Sequence, residues 1–198
     1  MEWQNANANP AGRWGKRTSD KAMIHSGEDG VALEHMMELV RETGADPWFT
    51  IPWNADEEYV RNFAKHVRAN LPRERKVYVE LGNEIWNDSF PAGIQARREG
   101  LAMGLSTNAY EAQLRRYAQK SAWMLRIWTR AFADRPSQLV RVVSSQNVST
   151  WPSETILSYR DTAKFVDALA VAPYFGHGFF SGMPNASARD RNTVSRAL

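Results

Sequence analysis

The 198-residue sequence contains no cysteine, which excludes a disulfide framework and any metal site built from thiolates. No stretch of the chain approaches the roughly 18 uninterrupted apolar residues that a membrane-spanning helix needs. The amino terminus also lacks the basic start and the apolar run of a signal peptide. These absences favour a globular protein with no membrane span, and they leave its compartment open.

The chain also lacks a concentrated patch of one charge. Its net charge is +3, and the nearest approach to a basic cluster is two separated pairs, Arg97-Arg98 and Arg115-Arg116. Nucleic-acid-binding proteins usually concentrate lysine and arginine on one face or one helix, so we expect no nucleic-acid partner. Arg115 and Arg116 are expected on the solvent side of a helix.

Several motifs that would indicate other chemistries are missing. No strand is followed by a Gly-x-Gly-x-x-Gly turn or a Walker-type loop, which argues against nucleotide binding. No Gly-x-Ser-x-Gly elbow is present, which argues against a serine hydrolase. The chain has four histidines, His25, His35, His66 and His177. None of them pairs at helical spacing with another histidine or with a cleft-facing carboxylate, so no metal and no cofactor are predicted.

Tryptophan, by contrast, is abundant, with eight residues in a chain of this size. Flat indole rings stack on the C–H faces of sugars, so tryptophans clustered near a cleft suit carbohydrate binding. The alternative is that most of them fill the core. Composition therefore only hints at a sugar ligand.

Hydrophobic spacing predicts an alternation of helices and strands. Apolar residues at i, i+3, i+4 and i+7 predict helices that begin near Leu33, after Asp56 and after Asn108, and a weaker helical pattern covers about 153–165. Asp56 and Asn108 suit N-caps, and Gly44 suits a helix C-terminus. Four short β-rich runs predict strands, at 46–52, Val77–Leu81, Leu139–Val143 and Ala168–Ala172.

The segment between Leu81 and Asn108 is rich in Gly and Pro and is predicted to be a loop. Strand–helix alternation implies a parallel sheet with helices outside it. Because strand ends converge on one face of a barrel, where active sites lie, polar or aromatic strand ends favour a barrel over an open doubly wound sheet. Such residues end each predicted strand: Trp53-Asn54, Asn83-Glu84, Gln146-Asn147 and Tyr174.

Glu84 is the strongest catalytic candidate among these residues, because it follows a strand beside Asn83 and close to Trp86. A general acid for a glycosidic oxygen needs a carboxyl group kept partly protonated in a shielded pocket. A neighbouring amide can hold a sugar hydroxyl, and an indole can provide a floor. The alternative is that Asn83 and Glu84 only cap the next helix or turn.

One part of the sequence resembles the fourth-strand region of clan A glycoside hydrolases. It is the stretch Val77-Tyr-Val-Glu-Leu-Gly-Asn-Glu-Ile-Trp-Asn87, together with the preceding segments 44–52 and 55–64. These are the cellulase-like retaining barrels, and the same phrases recur in bacterial cellulose-binding or cellulase-like barrel proteins. The resemblance covers roughly residues 1–176 and is most specific over 44–87. It implies a partial (β/α)₈ TIM barrel of roughly strands 2 to 6, with Met1–Gln4 as the tail of the second strand.

The resemblance also implies roles for particular residues. Glu84 would be the catalytic acid/base, and Asn83 would hydrogen-bond the sugar next to the scissile bond. Tyr174 would support the nucleophile, or would instead be a core aromatic residue. Three tryptophans are candidates for lining the cleft, each against plain packing in the core: Trp3, Trp53 and Trp86.

Two departures from the family pattern stand out. Trp53 occupies a position where relatives carry a histidine. The clan places its nucleophile glutamate at the end of the seventh strand, and this chain has no glutamate after Glu154, which is expected to open a helix. Glu80 is a poor substitute: an extended strand puts its backbone about 13 Å from Glu84, whereas retaining enzymes need carboxyl groups about 5–5.5 Å apart. Glu80 is therefore predicted to be an interior polar group with a partner.

We accordingly expect residues 1–176 to form part of a barrel and residues 177–198 to be a loop or a poorly ordered tail. The chain is expected to be a fragment, inactive by itself, of a glycoside hydrolase that is secreted or on the cell surface and acts on a polysaccharide or oligosaccharide. The alternative from another class is a non-catalytic carbohydrate-binding or surface protein on a degenerate barrel. A glutamate at the seventh strand end of the full-length protein would favour the enzyme.

Overall fold

The computed structural model describes residues 2–173, which form a mixed α/β unit around a four-stranded parallel sheet. The strands occupy the predicted places, although the third extends further than its apolar run. Their bounds are β1 Trp48–Ile51, β2 Val77–Leu81, β3 Leu139–Gln146 and β4 Ala168–Ala172. Each strand pairs in parallel with the next one along the chain, in the order β1-β2-β3-β4.

Five α-helices occur within residues 2–173, and those between consecutive strands make the crossovers that parallel pairing requires. They are α1 Leu33–Thr43, α2 Glu57–Asn70, α3 Pro91–Ala102, α4 Ala109–Ala131 and α5 Trp151–Ser158. The predicted caps are confirmed. The Asp56 side chain accepts a hydrogen bond from the Tyr59 backbone N–H at 2.8 Å, and Asn108 accepts one from Glu111 at 2.9 Å. Gly44 ends α1 with a φ of 63°.

Alternation along the strands separates two faces of the sheet. On one face, Phe49 and the other residues that share this face point into the core. There Phe49 contacts Phe63 of α2, and Phe63 in turn contacts Trp128 of α4. The opposite face carries Trp48, which stacks on Tyr78 of β2 with ring centroids 5.5 Å apart. Helices α2 and α4 therefore pack against the Phe49 face, and the opposite face carries polar and aromatic side chains.

The prediction of a continuous loop between Leu81 and Asn108 is wrong, because α3 lies within it. The buried face of α3 consists of small residues, so it lacks the large apolar side chains from which a helix is recognised: Ala92, Gly93, Ala96 and Gly100. Their smallness allows close approach of neighbouring backbone. A Cβ added to Gly100 would lie 2.2 Å from the Ala112 carbonyl oxygen, and one on Gly93 would lie 2.3 Å from the Asn87 carbonyl oxygen.

Two further expectations need correction. Glu2–Gln4 form a turn of 3₁₀ helix that contacts β1, so the opening residues are not the tail of a sheet strand. The weak helical pattern over 153–165 is not one helix. Helix α5 ends at Ser158, Arg160 has a φ of 53°, and Thr162–Phe165 form a 3₁₀ turn. The left-handed residue is what interrupts the helix.

None of the helices within residues 2–173 has the length and apolar character needed to cross a bilayer. Tyr174 and the predicted tail at 177–198 lie outside the described residues.

Replacing Phe63 by alanine should test the packing between the sheet, α2 and α4. Phe63 is almost fully buried against aromatic rings of β1 and α4. We expect Phe63→Ala to lower the free energy of unfolding by about 3–5 kcal/mol, because truncation of a buried aromatic leaves a cavity. The measurement is urea denaturation. Ile94→Ala, at an exposed position of α3, is the control and should change stability by less than about 0.5 kcal/mol.

Candidate functional site at the end of β2

A tight turn follows β2 immediately. Gly82 has a φ of 66° and Glu84 a φ of 47°, and the Asn87 backbone N–H donates to the Glu84 carbonyl oxygen at 2.8 Å. A left-handed conformation suits glycine but costs a residue with a Cβ about 1–3 kcal/mol. The turn thus holds Glu84 in an uncommon backbone state, next to the end of a strand.

A cavity of about 470 Å³ opens beside this turn, on the sheet face opposite the one that packs against α2 and α4. It brings together three residues predicted from the sequence, namely Asn83, Glu84 and Trp86. The remaining lining comes from all four strands: Trp48, Thr50, Glu80, Ser144, Ser145, Ala170, Val171 and Ala172. A concave site with a few convergent polar groups and aromatic walls is the usual form of a small-molecule site.

The Glu84 and Asn83 side chains are both oriented by amide groups. The Asn87 side-chain amide donates to Glu84 Oε2 at 2.9 Å. The Asn83 side-chain amide donates to Asn7 Oδ1 at 3.0 Å, which ties this position to the amino-terminal segment. Sequence reasoning missed Asn87 as a partner. Its signal is the spacing of three residues from Glu84, which a tight turn brings into hydrogen-bond reach.

Glu80 is the second carboxylate that lines the cavity. It is buried, and the Trp48 indole N–H donates to Glu80 Oε2 at 2.9 Å, so the prediction that Glu80 has a partner is confirmed. The value of about 13 Å for its backbone separation from Glu84 assumed an extended chain. Because β2 ends at Leu81 and a turn follows, that value is an upper bound.

Trp48 also belongs to the site, although the sequence did not single it out. It lines the cavity, donates to Glu80 and stacks on Tyr78 at an interplanar angle of 10°. No local sequence signal sets Trp48 apart, because its partner Glu80 lies on another strand, 32 residues further along the chain. The cavity therefore has two indole walls, from Trp48 and Trp86.

Tyr117 of α4 supports the far side of the cavity. Strands β2 and β3 are paired only from Val77 to Val79 of β2. Further along β3, the Ser144 backbone N–H donates instead to the Tyr117 hydroxyl, at 2.8 Å. The Ser144 hydroxyl lies 3.3 Å from the same oxygen. Complete burial raises the pKa of Tyr117, and the charge of Glu80 acts in the same direction. Tyr117 therefore stays a neutral hydroxyl that completes the hydrogen bonding of the strand.

Trp53 is not a cavity residue in the described part of the chain. It is fully buried, its indole N–H donates to Glu99 Oε1 at 3.4 Å, and Lys120 Nζ lies 4.5 Å from its ring centroid. The packing alternative therefore fits Trp53, and the proposed sugar contact does not. The sequence could not reveal this because Glu99 and Lys120 belong to α3 and α4, about 50 to 70 residues further along the chain.

The Trp53 cluster contains titratable groups with shifted pKa values. Burial would raise the pKa of Glu99, but hydrogen bonds from Gln95 at 2.6 Å and Arg116 at 2.7 Å hold it below its ordinary range. Burial lowers the pKa of Lys120 to about 8; Glu99 opposes this shift, and Arg116 adds to it. The cluster is thus a charged network that lies apart from the cavity lining.

The other predicted residues are placed as follows. Trp3 is partly exposed and does not line the cavity described above; its carbonyl oxygen accepts a hydrogen bond from the Val31 N–H at 2.8 Å. Glu154 lies in the first turn of α5, as predicted. His25 and His35 meet edge to face at 4.9 Å, but residues 2–173 contain no group of three or more side chains arranged to hold a metal ion.

Comparison with models of known protein families gives no match, and comparisons with curated proteins and with solved structures give none either.

The turn that carries Glu84 should be sensitive to a Cβ at Gly82. Alanine costs about 1–2 kcal/mol at any left-handed position, but at Gly82 its Cβ would also lie 2.3 Å from Cδ1 of the buried Ile85. We expect Gly82→Ala to destabilise the protein by about 1–3 kcal/mol more than Gly104→Ala. Gly104 is a matched control, with a φ of 64° and open space around it. Equal losses in urea denaturation would contradict the placement of Ile85 over the turn.

Lys120→Met should stabilise the protein in a pH-dependent way. The pKa of Lys120 in the folded chain, about 8, lies below its ordinary value of 10.5. Between these values the unfolded chain binds more protons, so this group raises stability as pH rises and penalises folding below about pH 8. We expect Lys120→Met to raise the free energy of unfolding near pH 7, with a smaller gain near pH 10. Lys65→Met, at an exposed position, is the control; a gain independent of pH would contradict the assignment.

Proposed function

We propose that this chain is part of a (β/α)₈-barrel glycoside hydrolase in which Glu84 is the catalytic acid/base. Support for the barrel comes from the sequential order of four parallel strands. Open doubly wound sheets reverse the strand order at a switch point, and no reversal occurs between β1 and β4. In barrels of this class, active-site residues project from the carboxyl ends of the strands. Asn83 and Glu84 follow such an end directly.

The observation that carries the proposal is the placement of Glu84. A residue with a Cβ is kept in the left-handed region, where its carboxyl faces a cavity that also contains Asn83 and Trp86. Strain of this kind concentrates at functional sites.

The residues suit the steps of glycoside cleavage. The Glu84 carboxyl, oriented by Asn87, would protonate the departing glycosidic oxygen, and its carboxylate would then activate water. The Asn83 amide would hold a hydroxyl of the sugar beside the scissile bond. The indoles of Trp48 and Trp86 would contact the C–H faces of sugar rings. Glu80, held by Trp48, serves as a fixed wall, and the nucleophile is supplied from outside this chain.

Oligosaccharide binding tests the proposal on the chain itself. We expect soluble β-linked oligosaccharides to change tryptophan fluorescence on titration, and Trp86→Ala to weaken binding about tenfold or more, because one stacked ring is lost. Trp53→Phe is the control and should leave the affinity unchanged, since Trp53 is buried away from the cavity. Failure of every β-linked oligosaccharide to bind would reject the carbohydrate site.

Hydrolysis tests the role of Glu84 in a protein that unites these residues with the nucleophile. Glu84→Gln should lower kcat by about 10²–10⁴-fold, because a positioned general acid contributes that much. Glu80→Gln is the matched control, since it lies in the same cavity and glutamine can still accept from Trp48. A loss at Glu80 equal to or greater than that at Glu84 would reverse the assignment.

A non-catalytic carbohydrate-binding protein is the second candidate, favoured by one observation. The other carboxylate that lines the cavity, Glu80, is buried and accepts a hydrogen bond from the Trp48 indole N–H, which suits a structural role. Such a protein would bind oligosaccharides through the two indoles without cleaving them. Binding that persists in Glu84→Gln, with no hydrolysis by any longer form of the protein, would support this candidate over the enzyme.

A further inference from the structure

A short segment near the amino terminus forms a tight turn that contacts a residue of the cavity. Asn5 and Asn9 have φ angles of 53° and 55°, and Ala6–Ala8 form one turn of 3₁₀ helix between them. Asparagine is one of the few residues with a Cβ that adopt the left-handed conformation readily. In the middle of this turn, Asn7 Oδ1 accepts a hydrogen bond from the Asn83 side-chain amide at 3.0 Å. Asn83 in turn lines the cavity.

A closed ring of three side-chain amides anchors the end of this turn. The Asn9 amide donates to Gln95 Oε1 at 2.9 Å, and the Gln95 amide donates to Asn54 Oδ1 at 2.8 Å. The Asn54 amide donates back to Asn9 Oδ1 at 3.0 Å, which completes the ring. Gln95 belongs to α3, so the ring fastens Asn9 to a helix far along the chain. Because each amide both donates and accepts, the ring specifies one arrangement of its members.

The anchored turn acts on the cavity through the side chain of Asn83. A carboxamide has two N–H donors and one oxygen acceptor. Because Asn7 accepts from one N–H of Asn83, the second N–H and the oxygen remain for a ligand in the described part of the chain. A sugar hydroxyl can both donate and accept, so it matches this pair of groups. The direction of the amide plane, which Asn7 sets, decides where that hydroxyl can bind.

We propose that Asn7 is a positioning residue that holds the Asn83 carboxamide in the orientation that binds a sugar hydroxyl. The inference rests on the proposed carbohydrate site, and it gives a role in that site to a residue 76 positions away from Asn83 in the chain. Asn7 is not among the residues that line the cavity described above, so it acts through Asn83. An amide that is already fixed raises affinity, because its rotational freedom is lost before the ligand arrives.

A double-mutant cycle on oligosaccharide binding tests this role. Cellotetraose, xylotetraose and laminaritetraose are titrated against the whole chain by tryptophan fluorescence, and the cycle uses the tightest binder. We expect Asn7→Ala to weaken binding about three- to tenfold, because one ligand hydrogen bond loses its fixed partner. In an Asn83→Ala background, Asn7→Ala should change the affinity by less than about twofold, because the residue through which Asn7 acts is gone.

Two further variants separate positioning from a general effect on the fold. Asn7→Asp keeps an acceptor oxygen for the Asn83 amide, so its affinity should stay within about twofold of the unsubstituted chain. Asn5→Gly is the control, because glycine suits the left-handed backbone and the Asn5 amide donates to the Glu28 carbonyl oxygen instead. It should leave the affinity unchanged. Urea denaturation checks that each variant folds, and Asn7→Leu takes the place of Asn7→Ala if the alanine variant does not.

The outcomes distinguish this role from the function on which it rests. If the unsubstituted chain binds none of the three oligosaccharides, the carbohydrate site is rejected and the role of Asn7 with it. If an oligosaccharide binds and Asn7→Ala leaves its affinity unchanged, only the role of Asn7 is rejected. A loss in Asn7→Ala that persists in the Asn83→Ala background, or that Asn7→Asp shares in full, also overturns the role, because Asn7 would then act by another route.

Discussion

The backbone turn after β2 is the constraint on which the rest of the site depends. Gly82 and Glu84 both have positive φ angles, and the turn they form is closed by a hydrogen bond from the Asn87 backbone. Burial of Ile85 and the close approach of Gly93 to the Asn87 carbonyl hold the turn against α3. Glu84 lines the cavity from this turn, and the surrounding packing compensates for its unfavourable backbone conformation.

The two faces of the sheet have different roles: one packs the hydrophobic core, and the other lines the cavity. Phe49 and the other residues on its face of the sheet pack against α2 and α4 and make the large apolar contacts of the core. The other face carries Trp48 and Glu80, joined by a hydrogen bond across β1 and β2. Because the side-chain period of a strand is two, each strand contributes to both faces without conflict. The Tyr117 hydroxyl of α4 accepts a hydrogen bond from the Ser144 backbone N–H of β3.

The loops and helices at the carboxyl end of the sheet are linked by side-chain amides. Asn83 reaches Asn7, while Asn54 donates to Asn9 and accepts from Gln95 of α3. These contacts fasten the amino-terminal segment to the turn and to α3. These hydrogen bonds are partly buried, and a network whose members are satisfied specifies one arrangement of the groups that it joins. This network, rather than a sheet strand, holds the segment around Asn7 and Asn9 in place.

The sequence by itself determined the four strands, most helices and their caps, and the Asn83–Glu84 pair at a strand end. Each depends on local periodicity or on a cap within three residues, as with Asp56 and Tyr59. Helix α3 escaped prediction because its buried face is built of small residues, whose role is close contact. Only the tertiary structure decided that Trp48 belongs to the cavity and Trp53 to a charged cluster, because their partners come from distant parts of the chain.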